Sequence, residues 1–458
     1  MKRPGRDADL RSRNDRLSMG KALRRSVPRE AHAELRIPGN RSALAILKEG
    51  DVDRVKTLLP LRYKRMAESP FAYLRGAAAV MAHDLALGPM TGLTVQACGD
   101  GHLMNFGALV TPEGNIAFDV NDFDETLDGI DFTVDLKRLA ASAAVAALNA
   151  GFSAREARSV AEHVASAYRK RMRILSMLSP AEIWHSRIDL ENEIERFGSR
   201  ALRHKLRTTV DRAKGSGLSK DDNFPHFVRK RHRIADKCPT IFHFDQMPPK
   251  ERPPDPKRLF ENYRDALTPD RSVLLDRYRM RDIVFKAVGV GSVGTFCCVA
   301  LFLTADDEPL FLQIKQAQRS AMERVDPNAA YDGNQGRRVV EGQRKMQAAS
   351  DIFLGFSHDS ASRREFYVRT LKNRRLGGVG EIAELEALYE YAALCARTLA
   401  RAHARSGEPA KIAGYIGRSA IMDRAIASFA MAYADQTVTD HDELVRSRRS
   451  GPTRRGAK

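Results

Sequence analysis

This chain of 458 residues has a single tryptophan, Trp184, and only five cysteines. Cys98, Cys238, Cys297, Cys298 and Cys395 are odd in number, widely scattered and without a CxxC pair. That excludes a disulfide framework or a thiolate zinc cage and predicts free thiols. Long apolar runs are missing too. The longest alanine-rich stretch, Leu139 to Ala150, stops well short of the roughly 20 residues a membrane helix needs. The opening residues, MKRPGRDADLRSRNDR, contain no apolar segment of the signal-peptide kind. The expectation is a cytoplasmic protein with no membrane contact. With 43% hydrophobic and 29% charged residues, the chain has the makings of a globular core and is too apolar for a disordered one.

The net charge of +18 raises the question of nucleic acid, and its distribution weighs against it. Residues 1–30 hold ten Lys/Arg against four Asp/Glu, and residues 441–458 six against two, so the ends carry ten of the eighteen net charges. A further cluster, Lys230 to Lys237, has no interleaved aromatics on which bases would stack. Nonspecific polyanion contacts through the basic ends are the most that this pattern supports.

Along the chain, a basic segment (1–40) precedes helix-like sequence from Arg41 to about Leu87. There Ser69-Pro70 supplies a cap and an N1 proline for PFAYLRGAAAVMAHDLAL. Strand-like pieces follow at 93–100, 104–110 and 115–122, with Pro112-Glu113-Gly114 as a turn. Phe132 to Leu178 reads as helix broken at Gly151-Phe152-Ser153, and the polar, proline-dotted stretch from Lys214 to Pro269 reads as a linker. The most β-rich portion comes next: 282–303, a turn at Asp306-Asp307, 309–317 and 364–371. One helix before Phe353 and one from Glu381 to about Ser406 complete the pattern. Met66, Met81 and Met346 fall on helical faces and read as core.

Two constellations carry chemistry. The first is CGDGHLMNFG followed by FDVNDFDET. Asp100 and Asn105 stand five apart in one loop, and a strand then delivers Asp119 and Asp122. Carboxylates with a carboxamide and no thiolate are hard oxygen donors, suited to Mg²⁺ or Mn²⁺ on phosphate oxygens; a carboxylate left off the metal can accept a hydroxyl proton. His102 inside the loop can serve as ligand or orienting residue. The same residue types also build ordinary tight turns. Density favours a site: Asp119, Asp122, Asp124, Glu125, Asp128, Asp131 and Asp135 put seven acids in seventeen residues of a basic protein. Such crowding costs free energy unless cations or buried partners neutralise it, and Lys137 and Arg138 stand near enough in sequence to do part of that.

The second constellation is GVGSVGT, 289–295, between two apolar runs, with Lys315 on the next strand. Gly289, Gly291, Ser292, Gly294 and Thr295 let backbone N–H groups approach a polyphosphate closely, and an inward lysine on the adjacent strand can pair with its oxygens. A strand rather than a helix follows the glycines and no GK[ST] is present, so this is neither a Walker nor a Rossmann arrangement. The plainer alternative is a β-hairpin beside a surface lysine.

Together the pieces resemble a protein kinase-like or aminoglycoside phosphotransferase-like fold in exchanged chain order. The loop GDxHxxN matches the catalytic loop of small-molecule kinases, with Cys98 where a histidine is usual, and TLARAHARSGE (398–408) resembles the helix that precedes that loop. The resemblance implies an α+β, two-lobe, circularly permuted fold. A helical lobe would span 41–275, with a small antiparallel β lobe inserted at 276–375, closing helices at 376–445 and a basic tail at 446–458. It further implies ATP and Mg²⁺ (or Mn²⁺) as cofactors and a small-molecule or protein hydroxyl as acceptor. Asp100 would be the catalytic base, Asn105 a metal ligand and Asp119 the metal aspartate, with Asp122 its rival. Lys315 would pair with Glu341 in RRVVEGQRKMQAA, Glu323 being nearer in sequence. Over roughly residues 15–440 the chain also resembles the bacterial family catalogued as domain of unknown function 2252. The motifs that carry this are SPFAYLRGAA, VQACGDGHLMNFG, AFDVNDFDET, DLKRLAAS, VGVGSVGT, LFLQIKQA and VVEGQRKMQAASD.

The expectation is therefore an ATP- and Mg²⁺-dependent phosphotransferase. Its alternatives are a nucleotide-binding pseudokinase without turnover, and AMP transfer to protein. Arg75 can meet a phosphate or pair with an acid of the loop. Arg369 and Lys372 face either the cleft or an exposed strand edge. Trp184 reads as packing, and Cys98 beside Gly-Asp as a poor thiolate.

Overall fold

The computed structural model describes residues 10–214, 225–246, 256–287, 289, 291, 293–360, 362–371 and 384–449. Helices open the chain: α1 (Arg13–Ala22), α2 (Ala43–Glu49), α3 (Leu59–Met66), α4 (Pro70–Gly76) and α5 (Ala78–Leu85). Ser12, Ser42 and Ser69 cap α1, α2 and α4 by accepting backbone N–H groups, and Pro70 takes the N-terminal place that the Ser-Pro pair predicts. β1 (Thr94–Ala97), β2 (Phe106–Val110), β3 (Ile116–Val120) and β4 (Leu127–Asp131) follow. The hairpin expected around Pro112–Gly114 is β2–β3, while β1 pairs antiparallel with β4. β4 lies inside the acidic run, and its sequence LDGID has too little apolar alternation to announce a strand.

α6 (Phe132–Asn149) and α7 (Ala154–Leu175) break at Gly151, where φ is +88°, and Ser153 with Glu156 forms a capping box on α7. α6 is buried from Phe132 to Ala147, its small side chains letting neighbouring helices approach. α8 (Pro180–His185), α9 (Leu190–Ile194) and α10 (Arg200–Lys214) lead to the short strands β5 (Phe227–Val228), β6 (Arg233–Ile234) and β7 (Ile241–Phe242), then α11 (Pro256–Asp265) and α12 (Pro269–Leu275). The main sheet is built from β8 (Arg279–Lys286), β9 (Cys297–Leu303), β10 (Pro309–Ala317), β11 (Gly355–Asp359) and β12 (Arg364–Thr370), with α13 (Gln335–Met346) between β10 and β11. α14 (Leu385–Ser406), α15 (Pro409–Ile416) and α16 (Ile421–Arg449) close it. The fold is mixed α+β, as expected, and no helix among the described residues is long and apolar enough to cross a membrane.

The sheet runs β11-β12-β10-β9-β8-β7, antiparallel throughout. Its register sets Lys315 between Cys297 and Tyr367, and Gln313 between Val299 and Arg369. One face packs Phe285, Phe302 and Leu312 against Leu259 and Tyr263 of α11. The other packs Val284, Val299, Leu301 and Phe311 under Ile234 and Ile241. The stretch 214–269 is thus no linker: its described parts supply the edge strand β7, the cover of one face and α11 on the other. Strands of two residues are too short to show a period, which is why prolines and charge dominate that stretch in the sequence. The sequence also stopped short at the end. The helix expected from Glu381, a residue outside those described, is α14, and α15 and α16 follow it.

At the N-terminus α1 crosses α15 without room for side chains. A Cβ on Gly414 would stand 2.1 Å from the Leu17 carbonyl oxygen. Gly414→Val is therefore expected to destabilise the protein by about 2 kcal/mol, read as a lower melting temperature; an unchanged melting temperature would refute so close a crossing.

Candidate functional site

β1 delivers the chain to Cys98, Gly99 and Asp100, and a buried carboxylate catches it there. Asp135, in the first turn of α6, accepts the N–H groups of Cys98 (2.8 Å) and Gly99 (3.0 Å). His403 of α14 stands 3.1 Å from the same carboxylate, and its other ring nitrogen is 2.8 Å from the Tyr168 hydroxyl. Gly99 has φ +81°, and a Cβ on it would meet the Glu125 carbonyl oxygen at 2.2 Å, so only glycine fits. Burial pushes the Cys98 thiol well up, and Asp135 adds to the effect, so Cys98 is a poor thiolate as expected.

One turn along α6, Arg138 donates from Nε (2.8 Å) and Nη2 (2.6 Å) to Oδ1 of Asp100. His102 Nε2 stands 3.7 Å from the other oxygen, Oδ2. Burial raises the Asp100 carboxyl and Arg138 opposes it, leaving the group above its ordinary value. Asn105 donates from Nδ2 to the Asp100 carbonyl at 2.8 Å, which leaves its Oδ1 as an acceptor.

The acids after β3 are sorted by the cations they meet. Asp119 is wholly buried: Arg401 reaches Oδ1 at 2.5 Å, Val120 N–H donates to the same oxygen at 2.9 Å, and Ala348 N–H donates to Oδ2 at 2.8 Å. It ties α14 to β3 and is not among the residues that line the cavity. Its rival Asp122 lines the cavity. Asp124 pairs with the Lys315 amine and accepts the Tyr367 hydroxyl at 2.7 Å. Burial alone would raise the Asp124 carboxyl; Lys315 and Tyr367 outweigh it and hold it at about 2. Glu125 accepts the Ala321 N–H at 2.5 Å, and burial pushes its carboxyl up to about 7.

Glu341 is not the partner of Lys315. It accepts Arg337 at 2.8 Å, one turn away on α13. The face of α13 that meets the acidic segment carries Arg338 and Gly342, four apart: a Cβ on Gly342 would lie 2.4 Å from Thr126. Arg338 donates to the carbonyls of Thr126, Asp124 (2.9 Å) and Gln318 (2.8 Å). Glu341, about 100° away around the helix, is turned aside. Arg369 is buried, bonded to Gln313 Oε1 at 3.0 Å and to the Asn121 carbonyl at 3.1 Å; it faces the acidic segment rather than an exposed edge. Lys372 lies outside the described residues. Trp184 is half exposed, with the Arg405 guanidinium 3.8 Å over its ring.

The glycine turn is staked to the N-terminal helices by two arginines that the sequence did not single out. Arg54 donates to the Val293 carbonyl (2.7 Å) and Thr295 Oγ1 (3.1 Å), and Arg65 to the Gly289 carbonyl (2.6 Å). A Cβ on Gly291 would be 3.1 Å from the Arg75 carbonyl oxygen, so the turn touches the end of α4. Ser292 lies outside the described residues. Asp100, His102, Asn105 and Asp122 line the same cavity, of about 420 Å³, as Gly289, Gly291, Thr295 and Arg75. Lys315 stands behind Asp124, 2% exposed.

Among the described residues no three His, Cys, Asp or Glu side chains gather into a metal cage. Mg²⁺ needs none, since it is commonly held by one or two protein oxygens with substrate phosphates and water completing its shell. Asp122 and the Oδ1 of Asn105 are a donor set of that kind. The half-buried Arg54 and Arg65 and the buried Arg338 and Arg401 are not singled out by the sequence, because such arginines look like surface ones in a basic chain; only the apolar company of Arg338 and Arg401 in their helices hints at burial.

Residues 54–447 match a family model described as "Uncharacterized protein conserved in bacteria (DUF2252)", and the chain belongs to that family. No curated protein and no solved structure matches it.

Glu125 gives the site a pH signature. With its carboxyl raised to about 7 from an ordinary 4.5, the folded chain keeps a proton that the unfolded chain releases, so stability falls as pH rises through that window. Glu125→Gln removes the effect. Its melting temperature relative to wild type should therefore be more favourable at pH 8 than at pH 5; a difference independent of pH would refute the burial of this carboxyl.

Proposed function

We propose that this member of the bacterial DUF2252 family is an ATP- and Mg²⁺-dependent phosphotransferase with a kinase-like fold in circularly permuted order. The observation that carries the reading is the meeting of two clusters, far apart in sequence, on one cavity: Asp100, Asn105 and Asp122 with Gly289, Gly291 and Thr295. In chain order the acidic loop comes first and the glycine turn second; Lys315 of β10 and Arg338 of α13 both bond to the acidic segment, whereas Glu341, the partner the resemblance implies for Lys315, does not.

In this reading the triphosphate lies along the glycine turn, with Arg54 and Arg75 on the cavity wall and the charge of Lys315 behind Asp124. Asp122 and Asn105 would hold Mg²⁺, which when bound neutralises charge on the phosphate oxygens. Asp100 is fixed by Arg138 through one oxygen, and its carboxyl stands above the ordinary value. Its Oδ2 takes the proton of an acceptor hydroxyl. The acceptor oxygen forms its bond to the γ-phosphorus as the bond to the bridging oxygen breaks and ADP leaves. Positioning and charge stabilisation supply most of the rate, and general-base help about 10²–10⁴-fold.

The test uses γ-labelled ATP with Mg²⁺ and a set of candidate hydroxyl acceptors. Asp100→Asn is expected to cut label transfer by at least about 100-fold while leaving the melting-temperature shift produced by Mg·ATP. Absence of any such shift in the wild type would overturn the reading. A second comparison separates the two aspartates. Asp122→Asn should abolish the Mg²⁺ dependence of ATP binding with little loss of stability. Asp119→Asn should cost about 3–5 kcal/mol, because it leaves Arg401 buried without its partner. The reverse pattern would restore Asp119 as the metal residue.

A further inference from the structure

A nucleotide needs a place for its base as well as its phosphates, and the faces of the sheet are already filled. Val284, Val299, Leu301 and Phe311 on one face are each at most 5% exposed and lie under Ile234 and Ile241. The opposite face is packed on α11 and α12. Apolar wall also reaches the cavity at the seam where α2 meets α5: the half-buried Ala78 and Ala79 of α5, backed by the core residues Ile46 and Leu47 of α2. The two alanines leave a shallow, flat surface there.

The turn after β10 packs against α5 beside that seam and also lines the cavity. Glu323 lies in it. Its Oε2 accepts Arg319 Nε at 2.8 Å, whereas its Oε1 is buried with no hydrogen-bond partner among the described residues. Gln316, 9% exposed on the same wall, has an Oε1 in the same condition. An unmatched buried acceptor costs about 1–3 kcal/mol, so both oxygens favour a ligand that brings N–H donors. At the mouth, Arg324 pairs with Glu49 at the end of α2 at 2.6 Å, closing the seam to the turn.

We propose that this end of the cavity is the base subsite: a purine carrying an exocyclic amine lies against Ala78, Ala79, Ile46 and Leu47 and donates to Glu323, with Gln316 as a second polar contact. The proposal rests on the nucleotide reading of the same cavity and adds where the base goes. It places the base against the N-terminal helices and away from the sheet.

Photolabelling of the full-length protein with azido-ATP and Mg²⁺, followed by peptide mapping, tests it. Label in peptides covering 43–50 or 77–85 is expected. Label in 282–303 or 309–315 would overturn the base subsite while leaving nucleotide binding intact. No label and no melting-temperature shift with Mg·ATP would overturn the nucleotide reading, and the subsite with it. Azido-GTP run in parallel identifies the amine-bearing purine; label from either base at the seam supports the subsite. Ala79→Leu should weaken ATP binding at least about tenfold and leave inorganic tripolyphosphate binding within about twofold, and Glu323→Gln should weaken ATP about tenfold. An equal loss of ATP and tripolyphosphate in Ala79→Leu would overturn the subsite.

Discussion

An ammonium group sealed from water needs a carboxylate, and Lys315 finds it in Asp124. Lys315 is 2% exposed, and removing one partner of such a pair leaves the other buried and uncompensated, at a cost of about 3–5 kcal/mol. The pair therefore ties the sheet to the acidic segment. Tyr367, across the ladder from Lys315, holds the other oxygen of the same carboxylate at 2.7 Å. Arg338 then binds the backbone of that segment from α13, and Gln347 Nε2 donates to the Val120 carbonyl at 2.6 Å. Once the lysine is matched, the glycine turn and the acidic loop are held as walls of one cavity.

The same electrostatic logic explains how seven acids share a short stretch of a basic protein. The buried and half-buried acids have assigned donors: Asp119 has Arg401, Asp124 has Lys315, Asp131 has the N–H groups of Thr91, Gly92 and Thr133, Asp135 has two backbone N–H groups with His403 close by, and Asp100, ahead of the seven, has Arg138. The cations come from α14, β10 and α6, so neutralising the acids also fixes how those elements pack. Asp100, Asp122, Asp124 and Glu125 all line the cavity, the last with its carboxyl raised to about 7. Those are the groups able to meet a cation, a proton or a phosphate-bearing ligand.

Much of this was legible in the sequence where the chemistry is local. Ser69-Pro70, the Gly151 break, the hairpin at Pro112–Gly114 and the methionine core positions follow from caps, turns and periodicity, which act within a few residues. Asp100 and Asn105 in one loop, and the glycine turn 289–295 as a second constellation, were each readable as a motif. What escaped was long-range. Nothing local distinguishes Glu341 from Arg338 as the residue of α13 that reaches the acidic segment; that depends on the close approach at Gly342. Asp119 and Asp122 are equally acidic and differ only in that Arg401, from a distant helix, reaches the first. The stretch 214–269 reads as linker because its strands are two residues long, yet Ile234 and Ile241 within it cover part of one face of the sheet.

The central claim is that Asp122 and Asn105 face phosphate-bound metal in the cavity shared with the glycine turn. The most direct measurement is a crystal structure of the protein with Mn²⁺ and a non-hydrolysable ATP analogue, recorded at a wavelength where manganese scatters anomalously. The account predicts an anomalous peak within bonding distance of the Asp122 carboxylate, with phosphate density running toward Gly289–Thr295. A peak at Asp119, or phosphates bound outside this cavity, would contradict it.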